Sequence, residues 1–122
     1  MKLIKLIPLT VLMLSINVNA GSLVCDNTKV KKLAYHGSNK LMVQLDNMNS
    51  AVFFCNPDAE WRVSGSSYYM GPETCKAIYS TLLSAKVTGA KTRIHFEGDD
   101  VPSSCNGWEN WKSAVIMAVS YE

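Results

Sequence analysis

The sequence lacks several patterns that mark common classes of enzymes and metal proteins. It has no Cys-x-x-Cys pair, no glycine-rich loop that would cradle a phosphate, and no Gly-x-Ser-x-Gly elbow for a serine nucleophile. Neither His36 nor His95 lies near a cysteine in the sequence, so the usual spacing of metal ligands is missing. We therefore expect no bound metal, no cofactor and no enzymatic activity.

Long apolar runs are scarce, and the one that is present lies within the first 20 residues. Lys2 and Lys5 give the chain a positively charged start, and an apolar run follows from Leu6 to Ile16. Small residues then lead up to Ala20. This is the pattern of a secretory signal peptide cleaved after Ala20, because the run is too short to span a membrane. We expect a secreted or periplasmic protein in which residues 21–122 form a single domain that does not insert into a membrane.

A net positive charge is also missing once the leader is removed. The full chain has 12 Lys and Arg residues against 10 Asp and Glu residues. Lys2 and Lys5 would leave with the leader, so ten basic residues would face ten acidic ones. Proteins that bind nucleic acids need a basic excess to neutralise phosphates, and we therefore expect no nucleic-acid partner.

The cysteines that are present predict disulfide bonds. Four of them, an even number, lie in the part of the chain that follows the leader: Cys25, Cys55, Cys75 and Cys105. In an exported protein this number indicates two disulfides, and sequence alone leaves three pairings open. We favour Cys55 with Cys75, which are nearest in the sequence. Cys25 with Cys105 would then join the N-terminal region to a late loop.

The helix is the element with the clearest signals. Pro72 stands where a first turn tolerates a missing N–H, and Gly89 is placed to end the helix in a left-handed conformation. Apolar residues recur between them at spacings of three and four, as one helical face requires. This face comprises Cys75, Ile78, Leu82 and Ala85, and it is widened by Tyr79 and Leu83.

Strand patterns flank the helix on both sides. Residues 30–35 and 41–45 predict a hairpin, and residues 51–55 predict a third strand. After the helix, residues 91–97 alternate between apolar and polar, whereas residues 114–119 are apolar on both faces, as in a central strand. The pattern predicts a mainly β domain with one α-helix (α+β). Its expected architecture is a small OB-like five-stranded barrel with the helix before the last two strands.

Three segments resemble the pentameric B subunits of pertussis-like and subtilase-type bacterial toxins. The helix end and following strand, residues 78–94, match a Ser/Thr-Gly pair followed by a Val-Arg-Ile-His-like strand. Residues 53–55, Phe-Phe-Cys, resemble a Tyr-Phe-Cys strand of that family, and residues 113–117 resemble its last strand. The resemblance implies an OB-type barrel, secretion, assembly into a homo-oligomeric ring and recognition of cell-surface glycans.

The resemblance also implies a glycan site around Arg93. This residue matches a strand arginine of the family, and its guanidinium could pair with a sialic-acid carboxylate through two hydrogen bonds. Asn27 stands where the family has a serine, and His95 shares the polar face of the strand with Arg93. An ordinary solvated strand face is the alternative interpretation of Arg93 and His95.

Two tryptophans extend the set of candidate ligand-binding residues. Trp108 and Trp111 are flanked by Gly107 and Asn110, and indole rings stack well on sugars. The same two rings could instead fill one end of the barrel. We therefore predict a non-enzymatic binding module with a cell-surface glycan as ligand. The alternative prediction is a secreted or periplasmic barrel that binds or inhibits a protein partner or has an accessory role.

Overall fold

The computed structural model describes residues 21–122, so the predicted signal peptide, residues 1–20, lies outside the described residues. Within residues 21–122 the chain is mainly β with a single helix, and the helix precedes the last two strands, as predicted. The elements in chain order are β1 (Ser22–Thr28), β2 (Val30–His36), β3 (Lys40–Leu45), β4 (Val52–Cys55), β5 (Trp61–Arg62), β6 (Tyr69–Met70), α1 (Pro72–Thr88), β7 (Thr92–Glu97) and β8 (Val115–Tyr121).

The eight strands of the described chain form three small antiparallel sheets. One sheet has the order β1-β7-β8, the second has the order β2-β3-β4, and β5 pairs with β6. The predicted hairpin is β2 with β3, whose register runs from His36 opposite Lys40 to Val30 opposite Leu45. Across residues 21–122 these three sheets are not hydrogen-bonded into one closed barrel, so the five-stranded barrel expected from the sequence is not confirmed.

The two larger sheets are joined at two places. Lys29 alone separates β1 from β2, so one nearly continuous stretch of chain contributes a strand to each sheet. At the other side, Phe53 of β4 forms a parallel bridge with Ser113, just before β8 begins. The Phe53 amide donates to the Lys112 carbonyl at 2.9 Å, and the Ala114 amide donates to the Phe53 carbonyl at 2.9 Å.

The helix forms where its signals predicted. Pro72 occupies the first turn, Gly89 adopts φ 68°, and the Ala90 amide donates to the Ala85 carbonyl at 3.0 Å. Cys75, Leu82 and Ala85 are buried against the sheets. Leu83, which widens the predicted apolar face, is exposed. Leu83 directly follows Leu82, and adjacent helical residues point in directions about 100° apart.

Strand β7 lies in the middle of its sheet and β8 lies at the edge. Thr92, Ile94 and Phe96 of β7 are buried, as their alternation predicted. Met117 of β8 is exposed, so the central position expected for this apolar strand was wrong. An apolar run alone does not distinguish a strand paired on both sides from one whose outer face meets solvent.

The core lies between the sheets and the helix. Phe96 of β7 contacts Phe54 of β4 with ring centroids 5.8 Å apart, and Trp108 packs on Phe96 at 4.7 Å. These edge-to-face contacts join the two larger sheets through their aromatic side chains. The largest fully buried side chains include Phe54, Phe96, Leu41, Leu45, Leu82 and Ile94.

Two disulfides cross-link this core, as the number of cysteines predicted. Cys25 of β1 bonds to Cys105, 80 residues away, and Cys55 of β4 bonds to Cys75 of α1, 20 residues away. A domain of about 100 residues has a net stability of only about 5–15 kcal/mol, so each bond is a large fraction of the total. The first bond anchors the long segment between β7 and β8 to β1.

We expect the two bonds to contribute unequally to stability. In the chain-entropy model, loops with these separations of 80 and 20 residues give about 4 and about 3 kcal/mol. Denaturant unfolding of the double variants Cys25→Ala/Cys105→Ala and Cys55→Ala/Cys75→Ala should show both losses, with the first larger. Unfolding midpoints equal to that of the wild type would contradict this prediction.

Candidate functional site

Arg93 lies on the outward face of β7, in the middle of a small pocket. Its backbone is opposite Ser120 of β8, and the bulged part of β1 at Asp26 and Asn27 lies on the other side. The pocket has a volume of about 130 Å³. That volume suits one carboxylate or the edge of one sugar ring rather than a drug-sized ligand. We call this the Arg93 pocket; it is lined by Asp26, Asn27, Lys91, Thr92, Arg93, Ser120, Tyr121 and Glu122.

A β-bulge brings Asn27 to the Arg93 pocket. The register of β1 against β7 shifts between Cys25 and Thr28, and Asn27 adopts φ 54° within this shift. Asparagine tolerates the left-handed region better than most residues, and bulges redirect side chains near sites. The structure therefore places Asn27 and Arg93, two residues that the toxin resemblance singled out, in one pocket.

The charges of the Arg93 pocket are mixed. Lys91 and Arg93 supply two cations, and Asp26 and Glu122 supply two carboxylates. Among residues 21–122, the Arg93 guanidinium forms no salt bridge or side-chain hydrogen bond, which leaves its donors available. Such a pocket can bind a carboxylate at Arg93 while its own carboxylates accept hydrogen bonds from hydroxyl groups.

His95 lies two residues further along β7, on the same outward face, but its ring already has partners. Its Nε2 lies 2.9 Å from Ser22 Oγ and 3.1 Å from Glu97 Oε1. These contacts hold the imidazole against its own sheet and away from the residues that line the Arg93 pocket. The structure therefore separates His95 from the pair formed by Asn27 and Arg93.

Trp108 lies inside the core rather than at a ligand site. Its side chain is 5% exposed, and its indole covers Phe96. Its Nε1–H has no acceptor within the described residues. Asn49 holds the backbone of Trp108 through two hydrogen bonds, of 2.6 and 2.8 Å. This burial matches the packing alternative weighed from the sequence and leaves little of the Trp108 side chain accessible to a ligand.

Trp111 lies on the surface, although it is three residues from Trp108. It is 56% exposed, adopts φ 58°, and contacts His36 and Phe53 at ring-centroid distances of 5.1 and 6.2 Å. Strand β8 begins just after Trp111 and pairs with Arg93 five residues after its start. Val115, where β8 begins, and Ser120, which pairs with Arg93, lie about 16 Å apart at about 3.3 Å per residue, and Trp111 lies on the Val115 side of this stretch.

Sequence reasoning missed Tyr121 as a pocket residue and missed the exposed apolar surface of α1. Tyr79, Leu83 and Val87 recur at intervals of four along the helix, and Val87 is 78% exposed. Tyr35 of β2 stacks on Tyr79 at 5.1 Å.

The Tyr35 hydroxyl is harder to ionise than that of a free tyrosine. Burial, and then the negative charges of Tyr79 and Asp58, raise the pKa of Tyr35.

No group of three or more His, Cys, Asp or Glu side chains in residues 21–122 could hold a metal ion. No helix in the same range is long and apolar enough to cross a membrane. Of the candidate binding residues named from the sequence, Asn27 and Arg93 share the Arg93 pocket, and Trp111 lies on a separate exposed surface.

We expect the two tryptophans to differ sharply in their contribution to stability. Trp108→Ala should lower the free energy of unfolding by about 3–5 kcal/mol because it leaves a cavity beside Phe96. Trp108→Phe should cost less, since it keeps an aromatic ring and removes the unpaired N–H. Trp111→Gly should change stability by about 1 kcal/mol or less, because the site is exposed and its backbone suits glycine. Equal losses for Trp108→Ala and Trp111→Gly in denaturant unfolding would contradict the placement of these residues.

Comparisons with known proteins gave no relative for this chain. No protein-family model matches the sequence, and no curated protein matches it either. The resemblance to toxin B subunits therefore stays a prediction from sequence motifs, and the candidate site rests on the geometry of the described residues.

Proposed function

We propose that the protein is an exported, non-enzymatic module that binds a cell-surface glycan in the Arg93 pocket. The observation that carries the proposal is the convergence of three strands on this pocket. Asn27 comes from β1, Arg93 from β7, and Ser120 from β8. These residues are far apart in the sequence, so pairing of the strands creates the pocket.

The chemistry of the pocket fits a sialylated glycan. Sialic acid carries one carboxylate, which the planar guanidinium of Arg93 can bind through two parallel hydrogen bonds. Its ring hydroxyls can donate to Asp26 and Glu122, and Asn27 can both donate and accept.

Two connections between the sheets support an OB-type barrel as the finer description of the fold. The stretch from β1 to β2 would be the long bent first strand, interrupted at Lys29. The parallel bridge between Phe53 and Ser113 would join the third and last strands of such a barrel. With β7 between β1 and β8, these links would complete a ring of five strands.

The disulfides support export. Two disulfides within a domain of this size are typical of the periplasm or the extracellular space, where thiols are oxidised. They agree with the secretory signal peptide predicted at residues 1–20. A secreted or periplasmic location is also where a module that recognises cell-surface glycans would act.

We expect Arg93→Ala to abolish binding to sialylated glycans on a glycan array. Removal of the guanidinium leaves the carboxylate without its two-pronged partner, and Arg93→Lys should restore little binding because an ammonium group cannot form that pair. Arg62→Ala is the matched control: Arg62 is the only other arginine in the sequence, and its guanidinium pairs with Glu60 on the surface. Both alanine variants should unfold at the wild-type denaturant concentration.

The array experiment has clear contradicting outcomes. Folded wild-type protein that binds no glycan on the array would overturn the proposal. Sialoglycan binding that survives Arg93→Ala would place the ligand elsewhere on the molecule.

A second candidate function is protein binding, and the apolar surface of α1 favours it. Leu83 and Val87 are exposed on this surface, Tyr35 of β2 stacks on Tyr79 of the same surface, and exposed apolar surfaces commonly mark protein interfaces. The same surface would also suit contacts between copies of the chain in the ring implied by the toxin resemblance. The partner would be another copy under the first proposal and a different protein under the second.

We expect native mass spectrometry of the wild-type protein to show pentamers, and Val87→Asp to shift them towards monomers. A charge at this exposed position should break an apolar interface without disturbing the core. Lys76→Asp on the same helix is the control, because Lys76 is exposed and pairs with Glu73. A wild-type protein that stays monomeric and retains a different protein from the producing cell's envelope would favour the second function.

A further inference from the structure

A cluster of aromatic side chains covers the outer surface beside the β2-β3 turn. His36 contacts Phe53 at 5.4 Å and Trp111 at 5.1 Å, in both cases edge-to-face. Lys40 Nζ lies 5.0 Å from the Phe53 ring and 5.9 Å from the Trp61 ring. We call His36, Phe53 and Trp111 together with Lys40 the aromatic shelf.

The aromatic shelf is held rigidly by hydrogen bonds. The Trp111 amide donates to the Ala51 carbonyl at 3.2 Å, and the Phe53 amide donates to the next carbonyl along, that of Lys112. Ser50 Oγ donates to Asn110 Oδ1 at 2.8 Å. These bonds fix the segment that bears Trp111 against β4, so the indole is presented on ordered backbone rather than on a free loop tip.

The backbone of Trp111 is strained. A bulky residue at φ 58° is a genuine outlier, and such positions persist only where the surrounding structure holds them in place. Packing of a ring that is more than half exposed gives little stability in return. Strained residues of this kind concentrate at ligand sites, where the strain orients a side chain that the ligand uses.

His36 offers a hydrogen-bond donor at the edge of the shelf. The Ser38 amide donates to His36 Nδ1 at 3.2 Å, so Nδ1 is an acceptor, and the proton of the neutral ring lies on Nε2. Ser38 Oγ also lies 2.8 Å from Nδ1 and fixes the ring. Within the described residues no hydrogen bond involves His36 Nε2.

Lys40 limits the chemistry of the ligand. Its ammonium group already lies over Phe53 and Trp61, so it would repel a cationic ligand such as a quaternary ammonium. The Lys40 ammonium group is also the single cation of the aromatic shelf. It cannot bind a carboxylate through two parallel hydrogen bonds as a guanidinium does. A neutral ligand with an apolar face and hydroxyl groups remains, and a pyranose ring has both.

We propose that the aromatic shelf is a second binding site, which takes a neutral hexopyranose ring stacked on Trp111. The C–H face of the sugar lies on the indole, and its hydroxyls accept from His36 Nε2 and from Lys40. The site is separate from the Arg93 pocket, since about 16 Å of strand β8 lies between them. The inference therefore stands whether or not the Arg93 pocket binds sialic acid.

Saturation-transfer NMR with the methyl glycosides of galactose, glucose and mannose tests the proposal. The wild-type protein should transfer saturation to the ring C–H protons of at least one of them. Trp111→Gly should weaken this binding by at least about tenfold while it keeps the fold, because glycine adopts the left-handed backbone freely. Lys40→Ala provides a second variant that leaves the indole in place and should also weaken the binding. Arg93→Ala should leave it unchanged.

Three outcomes would overturn the proposal. The first is absence of saturation transfer to all three glycosides with folded wild-type protein. The second is transfer that persists in Trp111→Gly, which would place the sugar elsewhere. The third is equal transfer to a free nucleotide such as adenosine monophosphate, which would indicate aromatic stacking without preference for a sugar. Loss of sialoglycan binding in Arg93→Ala with methyl-glycoside binding intact would show two independent sites.

Discussion

The architecture depends on how the chain from Trp108 to Ala114 lies along the chain from Asn49 to Phe53. Three backbone hydrogen bonds and the side-chain bond from Ser50 to Asn110, together with the two amide contacts of Asn49, hold them side by side. Each such bond has a net value of about 0.5–1.5 kcal/mol, and together they order a segment that has little regular structure. This alignment sends Trp108 inwards against Phe96 and leaves Trp111 outside against His36. It also joins the two larger sheets, because Ser113 bridges to Phe53 immediately before β8 begins.

The sequence was sufficient where the signals are local. The helix begins at Pro72 and ends before Gly89 because both residues act on their own turn of backbone. The β2-β3 hairpin and the alternation of Thr92, Ile94 and Phe96 follow from patterns within a few residues. Arg93 is exposed for the same reason, since a period of two places it opposite those buried neighbours.

The remainder depends on contacts between distant parts of the chain. β1 contains Asp26 and Asn27, which suggest a turn when read alone, and pairing with β7 some 70 positions later overrides that preference. The different environments of Trp108 and Trp111 arise from hydrogen bonds to residues 49–51, about 60 positions away. Asn27 and Ser120 meet Arg93 only once three strands have paired, so no local pattern could have assembled the pocket.

The bond between Cys25 and Cys105 determines when the segment between β7 and β8 can take its final conformation. Cys105 lies in the segment between β7 and β8 that also contains Trp108 and Trp111. Its disulfide bond to Cys25 of β1 forms only in the presence of an oxidant. In the reducing cytosol of the producing cell that tie would be missing, and the connection would lose its longest-range anchor. Oxidising surroundings are therefore needed before this connection is covalently joined to β1. The segment that bears Trp108 and Trp111 would therefore take its final form only after the bond between Cys25 and Cys105 has formed.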